Sequence, residues 1–239
     1  MRVIRAATVG CLVGACLSVA SPARATAQAG DLLRIDGKEY EIFSNPLEPF
    51  LVLNPDKRPN SEIVSTGLWR GYLATWKIEC NRLTVTKVEV LHQKPSDDDT
   101  FETEYGDATD AVFPGQRDVF AEWFTGHIVI PTGKLVKYVH MGYASIYKKY
   151  LLLRVERGVV TKQWRLNRAA FQKFRDAQFA AFSRTEKYQK EFEEMKKVGK
   201  RTDEEVETFL AEYYSEDYLT TIVDDDSSGL PSSDRAKCK

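Results

Sequence analysis

The sequence predicts an α+β fold: one mainly antiparallel β-domain followed by two C-terminal helices. Three observations predict it. Turn signals separate alternating or β-branched runs at Asp36-Gly37, Cys80-Asn81-Arg82 and Glu156-Arg157-Gly158. Composition changes after Trp164, where aromatic residues begin to recur at helical spacing. No segment reaches the ~20 apolar residues of a membrane-spanning helix.

The first segment reads as a secretory signal. Arg2 and Arg5 start it, an uncharged stretch from Ala6 to Ala20 follows, and Pro22 breaks the run. Small residues at Ala25-Thr26-Ala27 then suit a signal peptidase, with cleavage expected after Ala27. The protein is thus expected to be periplasmic or secreted. Val13-Gly14-Ala15-Cys16 leaves a lipid anchor at Cys16 as the alternative, although Leu17 to Ala20 prolong the apolar run past it.

The expected organisation is residues 1–27 as signal, 28–165 as the mainly β domain, 166–223 as a helical segment and 224–239 as a disordered tail. In the β domain, Leu32–Ile35 and Lys38–Phe43 flank the Asp36-Gly37 turn. Ser44–Asn60 carries four prolines and is expected to be a connecting loop. Thr66–Glu79 alternates, with Leu68, Arg70, Tyr72, Ala74, Trp76 and Ile78 on one face. Leu83–Leu91 completes the second hairpin. Gln93–Gly115 is polar and acidic, and is expected to be irregular. Trp123–Ile130 suits a strand, Lys134–His140 a strand or helical turn, and Tyr150–Val155 with Val159–Trp164 the third hairpin.

In the helical segment, Asn167 is a good cap. Phe171, Phe174, Ala177, Ala181, Tyr188, Phe192 and Met195 predict one long helix to about Val198, ended by Gly199. Thr202 and Glu205 form a capping box for a second helix to about Tyr214. The tail from Asp224 is rich in Asp, Ser and Lys, and few apolar residues can order it.

Without the signal, 31 basic residues face 35 acidic ones. A net charge of −4 provides no field for nucleic acid. Two cysteines remain, Cys80 and Cys238. In an oxidising compartment they could pair and pin the tail to the body; an unpaired thiol is the other reading.

Three clusters carry usable chemistry. In Ser65–Trp76, Trp69, Arg70 and Tyr72 could line a ligand groove, Arg70 gripping an anion with its fork. The competing reading has Trp69 and Trp76 packing opposite sheet faces and Arg70 paired with a buried acid such as Glu48 or Glu79. Gly71 would admit a neighbouring backbone or aromatic ring. In Tyr138–Ser145, His140, Tyr143 and Ser145 offer acid–base groups, but no Gly-x-Ser-x-Gly elbow surrounds the serine. In Phe120–His127, Glu122 and His127 are metal-capable. The other histidines, His92 and His140, do not complete a ligand set, so no metal and no cofactor are expected.

Asn45-Pro46-Leu47-Glu48, Thr66–Trp76 and Tyr138–Ser145 together resemble a family of uncharacterised bacterial proteins. That family carries N-P-L-E, T-x-L-W-R-G-Y-x-A-T-W and Y-V-H-M-G-Y-x-S in this order. The resemblance covers about Leu32 to Trp164 and omits the signal and the helices. It implies no activity. It does imply that Trp69, Arg70, Tyr72, His140 and Tyr143 share one site or one core.

The leading functional reading is a non-catalytic exported protein that binds a small molecule or a protein through Trp69, Arg70, Tyr72, His140 and Tyr143. The alternatives are a hydrolase-like enzyme using His140, Tyr143 and Arg70, and an immunity-type inhibitor of a secreted toxin. An activated nucleophile would mark the enzyme, and the sequence presents none.

Overall fold

The computed structural model describes residues 27–95, 101–140, 142–198, 201–219, 230 and 234–235. The expected signal therefore lies outside the described residues, save its last residue, Ala27.

The chain begins with strands β1 (Asp31–Ile35) and β2 (Lys38–Ile42), then helix α1 (Glu48–Leu53) and a 3-10 turn (Pro55–Lys57). Strands β3 (Leu73–Glu79), β4 (Arg82–Pro95) and β5 (Phe101–Asp107) follow. Helix α2 (Thr109–Val112) and strand β6 (Val119–Phe120) lead to three long strands, β7 (Gly126–Lys137), β8 (Ile146–Glu156) and β9 (Val159–Asn167). Helices α3 (Arg168–Phe182), α4 (Glu186–Val198), α5 (Asp203–Tyr213) and α6 (Ser215–Tyr218) come next, and β10 (Asp234–Arg235) lies in the tail. This is an α+β fold whose longer helices are C-terminal, as the sequence predicts.

The three expected hairpins all form. Asp36-Gly37, Cys80-Asn81 and Arg157-Gly158 each hold positive φ at both turn residues. That is the geometry whose twist matches two antiparallel strands. At Gly158 the space is also restricted, because a Cβ would lie 2.7 Å from the Ala121 carbonyl oxygen.

The sheet order is β2-β1-β3-β4-β9-β8-β7. Its pairing is antiparallel except between β1 and β3, where Leu33 lies opposite Trp76 in parallel register. The two ends of the order meet. The Phe43 N–H donates to the Val129 carbonyl, and the Ser44 hydroxyl bridges His127 and Val129 backbone. The sheet thus curls into a barrel-like wrap around one apolar interior.

Alternation fills both faces of the wrap. Ile128, Ile130, Leu153 and Val155 join Trp76, Leu33 and Leu83 in the interior. Val129, Leu152, Trp164 and Leu166 point outward, where Phe171, Phe174, Phe182 and Leu210 of the helices cover them. Covered on both faces, β7 is buried without alternation from Gly126 to Ile130.

Five expectations need correction. The strand expected over Thr66–Glu79 starts only at Leu73, because the chain turns through Ser65–Gly71. Gly71 serves that turn with φ +80, and a Cβ there would meet nothing closer than 3.8 Å. Close approach is not its purpose. The irregular loop expected over Gln93–Gly115 is largely a ribbon, in which β4 and β5 pair from Glu89–Asp107 to Pro95–Phe101. Glu102, Thr103, Glu104 and Tyr105 are exposed, so no apolar face announces that strand in the sequence. Part of the expected Pro-rich loop forms α1. Finally, the long first helix is two helices. The Thr185 hydroxyl donates to the Phe182 carbonyl and accepts from the Tyr188 N–H, closing α3 and opening α4. Hydroxyl competition for backbone groups breaks the helix without glycine or proline.

Candidate functional site

Five residues were expected to share a site: Trp69, Arg70, Tyr72, His140 and Tyr143. The structure gathers three of them in the interior and leaves two at the surface.

Arg70 reaches inward from the turn before β3. Its Nη2 donates to Asp31 Oδ1 at 2.8 Å. Its Nη1 donates to the Ala29 carbonyl at 2.8 Å and to the Tyr143 hydroxyl at 3.0 Å. The guanidinium lies 5.4 Å from the Tyr72 ring centre. Asp31 is fully buried, and it also accepts from the Ala74 N–H and from Trp76 Nε1. The buried acid is therefore Asp31. Glu48 pairs instead with Arg58, and Glu79 with Lys77. Burial pushes the Asp31 carboxyl upward, while Arg70 and the donated hydrogen bonds pull it back. Burial also opposes the charge on Arg70, but Asp31 outweighs it and holds the guanidinium protonated.

The network continues to the helices. The Tyr143 hydroxyl donates to Asn45 Oδ1 at 2.8 Å, and Asn45 Nδ2 donates to Glu216 Oε2 of α6 at 2.7 Å. Phe43 stacks on Tyr143 with ring centres 5.0 Å apart. Burial pushes the Glu216 carboxyl up to about 6. Among the described residues, Arg70 Nε has no hydrogen-bond partner. The Arg70 side chain is only 7 % exposed, so the centre of this chain of contacts is closed off from solvent. It ties the start of β1 to the last helix.

Trp69 is 75 % exposed and packs no sheet face, against the structural expectation for it. His140 is also exposed, and its ring meets Tyr138 edge-on at 4.6 Å. His127 is buried, with Nδ1 3.1 Å from the Leu219 carbonyl and its ring edge-on to Phe174. Burial holds it down at about 4, so it stays neutral. Glu122, its expected companion as a ligand, pairs with Arg157. No cluster of three metal-capable side chains occurs among the described residues.

His140 does border a recess of about 440 Å³, between the β7–β8 connection and helices α3, α5 and α6. Tyr138, Arg175, Asp176, Phe179 and Tyr213 share its walls. Its volume lies within the range of small-molecule sites. Ser145 sits near this connection but is buried, its hydroxyl exchanging hydrogen bonds with the Val139 backbone. The helical half of the recess escaped sequence reasoning. Helical spacing marks the apolar stripe of α3, and the polar residues beside the stripe carry no comparable signal.

Fold and recess define an α+β protein with a curled sheet and a ligand-sized cleft beneath its helices. Comparison with protein-family models, curated proteins and solved structures returned no match.

Proposed function

We propose that this is an exported, non-catalytic binding protein whose ligand occupies the cleft beside His140. The observation that carries the reading is the division of the expected site. Arg70 and Tyr143 are consumed by an interior network with Tyr72 buried beside it, whereas His140 lies on the open recess with Tyr138 and Arg175. Those three residues are therefore assigned to the fold, and binding is assigned to the cleft. The hydrolase reading is less well supported for a physical reason. Arg70 and Tyr143 are tied to each other in the interior network, apart from the exposed His140 with which that reading combines them.

Export is part of the proposal. Among the described residues Cys80 is disulfide-bonded, which suits an oxidising compartment. Gln28, the first residue after the expected cleavage, is tied to the body. Its N–H donates to the Gly142 carbonyl, and its side chain bonds the backbone of Thr66 and Trp69. No described helix is long and apolar enough to cross a membrane.

A fragment set titrated into ¹⁵N-labelled protein tests the binding reading. Shifts are expected at residues 137–140, 172–179 and 211–213. Perturbations confined to other surfaces would refute it. A panel of ester and amide substrates tests the alternative; turnover that is abolished by His140→Ala would restore the hydrolase.

A further inference from the structure

We propose that the cleft takes a small organic monocarboxylate with an aromatic or aliphatic body, and that Arg175 receives the carboxylate. This rests on the cleft being the binding site.

Arg175 is a half-buried cation with its fork already set. Nε and Nη2 donate to the Tyr218 hydroxyl at 3.1 and 2.8 Å. Nη2 also donates to the Ala211 carbonyl at 3.1 Å, near the end of α5. Holding the end of α5 accounts for those two nitrogens and leaves Nη1 with no hydrogen bond among the described residues. No carboxylate lies within ion-pair distance of Arg175 either. Its neighbour Asp176 is engaged by Gln172 Nε2 at 2.8 Å. A guanidinium fixed in this way loses little freedom on meeting an anion, and its planar donors match a carboxylate.

The surrounding walls select the rest of the ligand. Phe179, Tyr138, Tyr213 and Ile146 provide ring and aliphatic surface for an apolar body. Charge limits the head group. Lys137, Arg175, Asp176 and Glu212 all line the same recess. The lining charges balance, so selection rests on the one free edge of the Arg175 fork, which has room for one carboxylate. A phosphate dianion would meet both acids with no excess of positive charge to offset them.

The test compares acids with their own amides. Benzoate, phenylacetate and 3-phenylpropionate are titrated into the ¹⁵N-labelled protein, each against its primary amide. Charge-assisted hydrogen bonds predict that the acids bind roughly tenfold or more tightly. The Arg175 Nε–H resonance shifts with acid and not with amide, a readout that needs no variant. Arg175→Gln equalises acid and amide. Tyr138→Ala, at an exposed ring, weakens both while keeping the preference. Acids and amides binding equally to wild type would overturn the carboxylate proposal and leave the cleft as the binding site. If neither perturbs any cleft resonance, both readings fall.

Discussion

At the scale of single residues, the interior is decided by a few polar groups whose partners lie far away in sequence. Arg70→Gln strands Asp31 in a fully buried place, because the Ala74 N–H and Trp76 Nε1 cannot neutralise a carboxylate. Breaking a buried pair from one side costs about 3–5 kcal/mol. Denaturant unfolding measures it, and a loss under about 1 kcal/mol would assign Arg70 to a surface role. Two other buried groups act oppositely on acid stability. The folded pKa of His127 lies below its unfolded value, so its stabilisation is present above pH 6.5 and is lost as pH falls towards 4. The folded pKa of Glu216 lies above its unfolded value, so its stabilisation is present below pH 4.5 and is lost as pH rises through 6. Between pH 4.5 and 6 the two slopes cancel. Glu216→Gln keeps an acceptor for Asn45 and removes one slope. The variant should gain up to about 2 kcal/mol at pH 7 and lose that gain by pH 4.5. Urea midpoints across this range measure it; parallel wild-type and variant profiles would contradict the assignment.

At the scale of elements, the sequence is most readable where backbone geometry is local. Asp36-Gly37 specifies its turn by itself, and Thr202 with Glu205 closes its capping box as the spacing predicts. Face assignment on β3 is equally legible, since Ala74, Trp76 and Ile78 are buried while Glu79 is exposed. Legibility ends where a partner outside the window decides. The β5 strand of the β4–β5 ribbon is exposed from Glu102 to Tyr105 and therefore has no pattern. Asp31 looks like any acid at a strand start, yet it organises Arg70 and Trp76. Of the expected site, His140 alone reached the cleft, because sequence proximity to Tyr143 does not say which ring faces inward. The tail offers a local test. Asp234 pairs opposite Gln163 and Arg235 opposite Lys162, so β10 advances towards the Val160 end of β9. The Val160 N–H donates to the Asn81 carbonyl, beside the disulfide-bonded Cys80. Cys238 follows Arg235 by three residues; it lies outside the described residues. Non-reducing peptide mapping of the protein made in an oxidising compartment should return Cys80 joined to Cys238. A free Cys238 thiol, or Cys80 linked between two molecules, would refute the pairing.

At the scale of the whole molecule, the question is whether the helices belong to the fold or merely follow it. Their contribution is physical and specific. Phe174 and Leu210 are fully buried, and they seal Val129, Leu152, Trp164 and Leu166 on the outer face of the wrapped sheet. Phe171 stacks on Tyr150 with ring centres 3.8 Å apart. The helices also supply Glu216 to Asn45 and the Leu219 carbonyl to His127, so polar and apolar contacts converge on one interface. Ending the chain after Asn167 would expose that outer face and leave His127 and Asn45 without these partners. Each large side chain returned to water forfeits about 1.5–3 kcal/mol. Several such losses exceed the 5–15 kcal/mol that holds a typical domain folded. The truncated chain should therefore collapse without fixed packing, losing near-ultraviolet circular dichroism and its cooperative melting transition while retaining β-structure in the far ultraviolet. If it instead melts cooperatively with an intact near-ultraviolet spectrum, the wrapped sheet is an autonomous domain and the helices are an appendage. The cleft discriminates between the same two cases, because one of its walls is helical: wild-type protein should bind the carboxylate probes and the truncated chain should not, whatever its state of order.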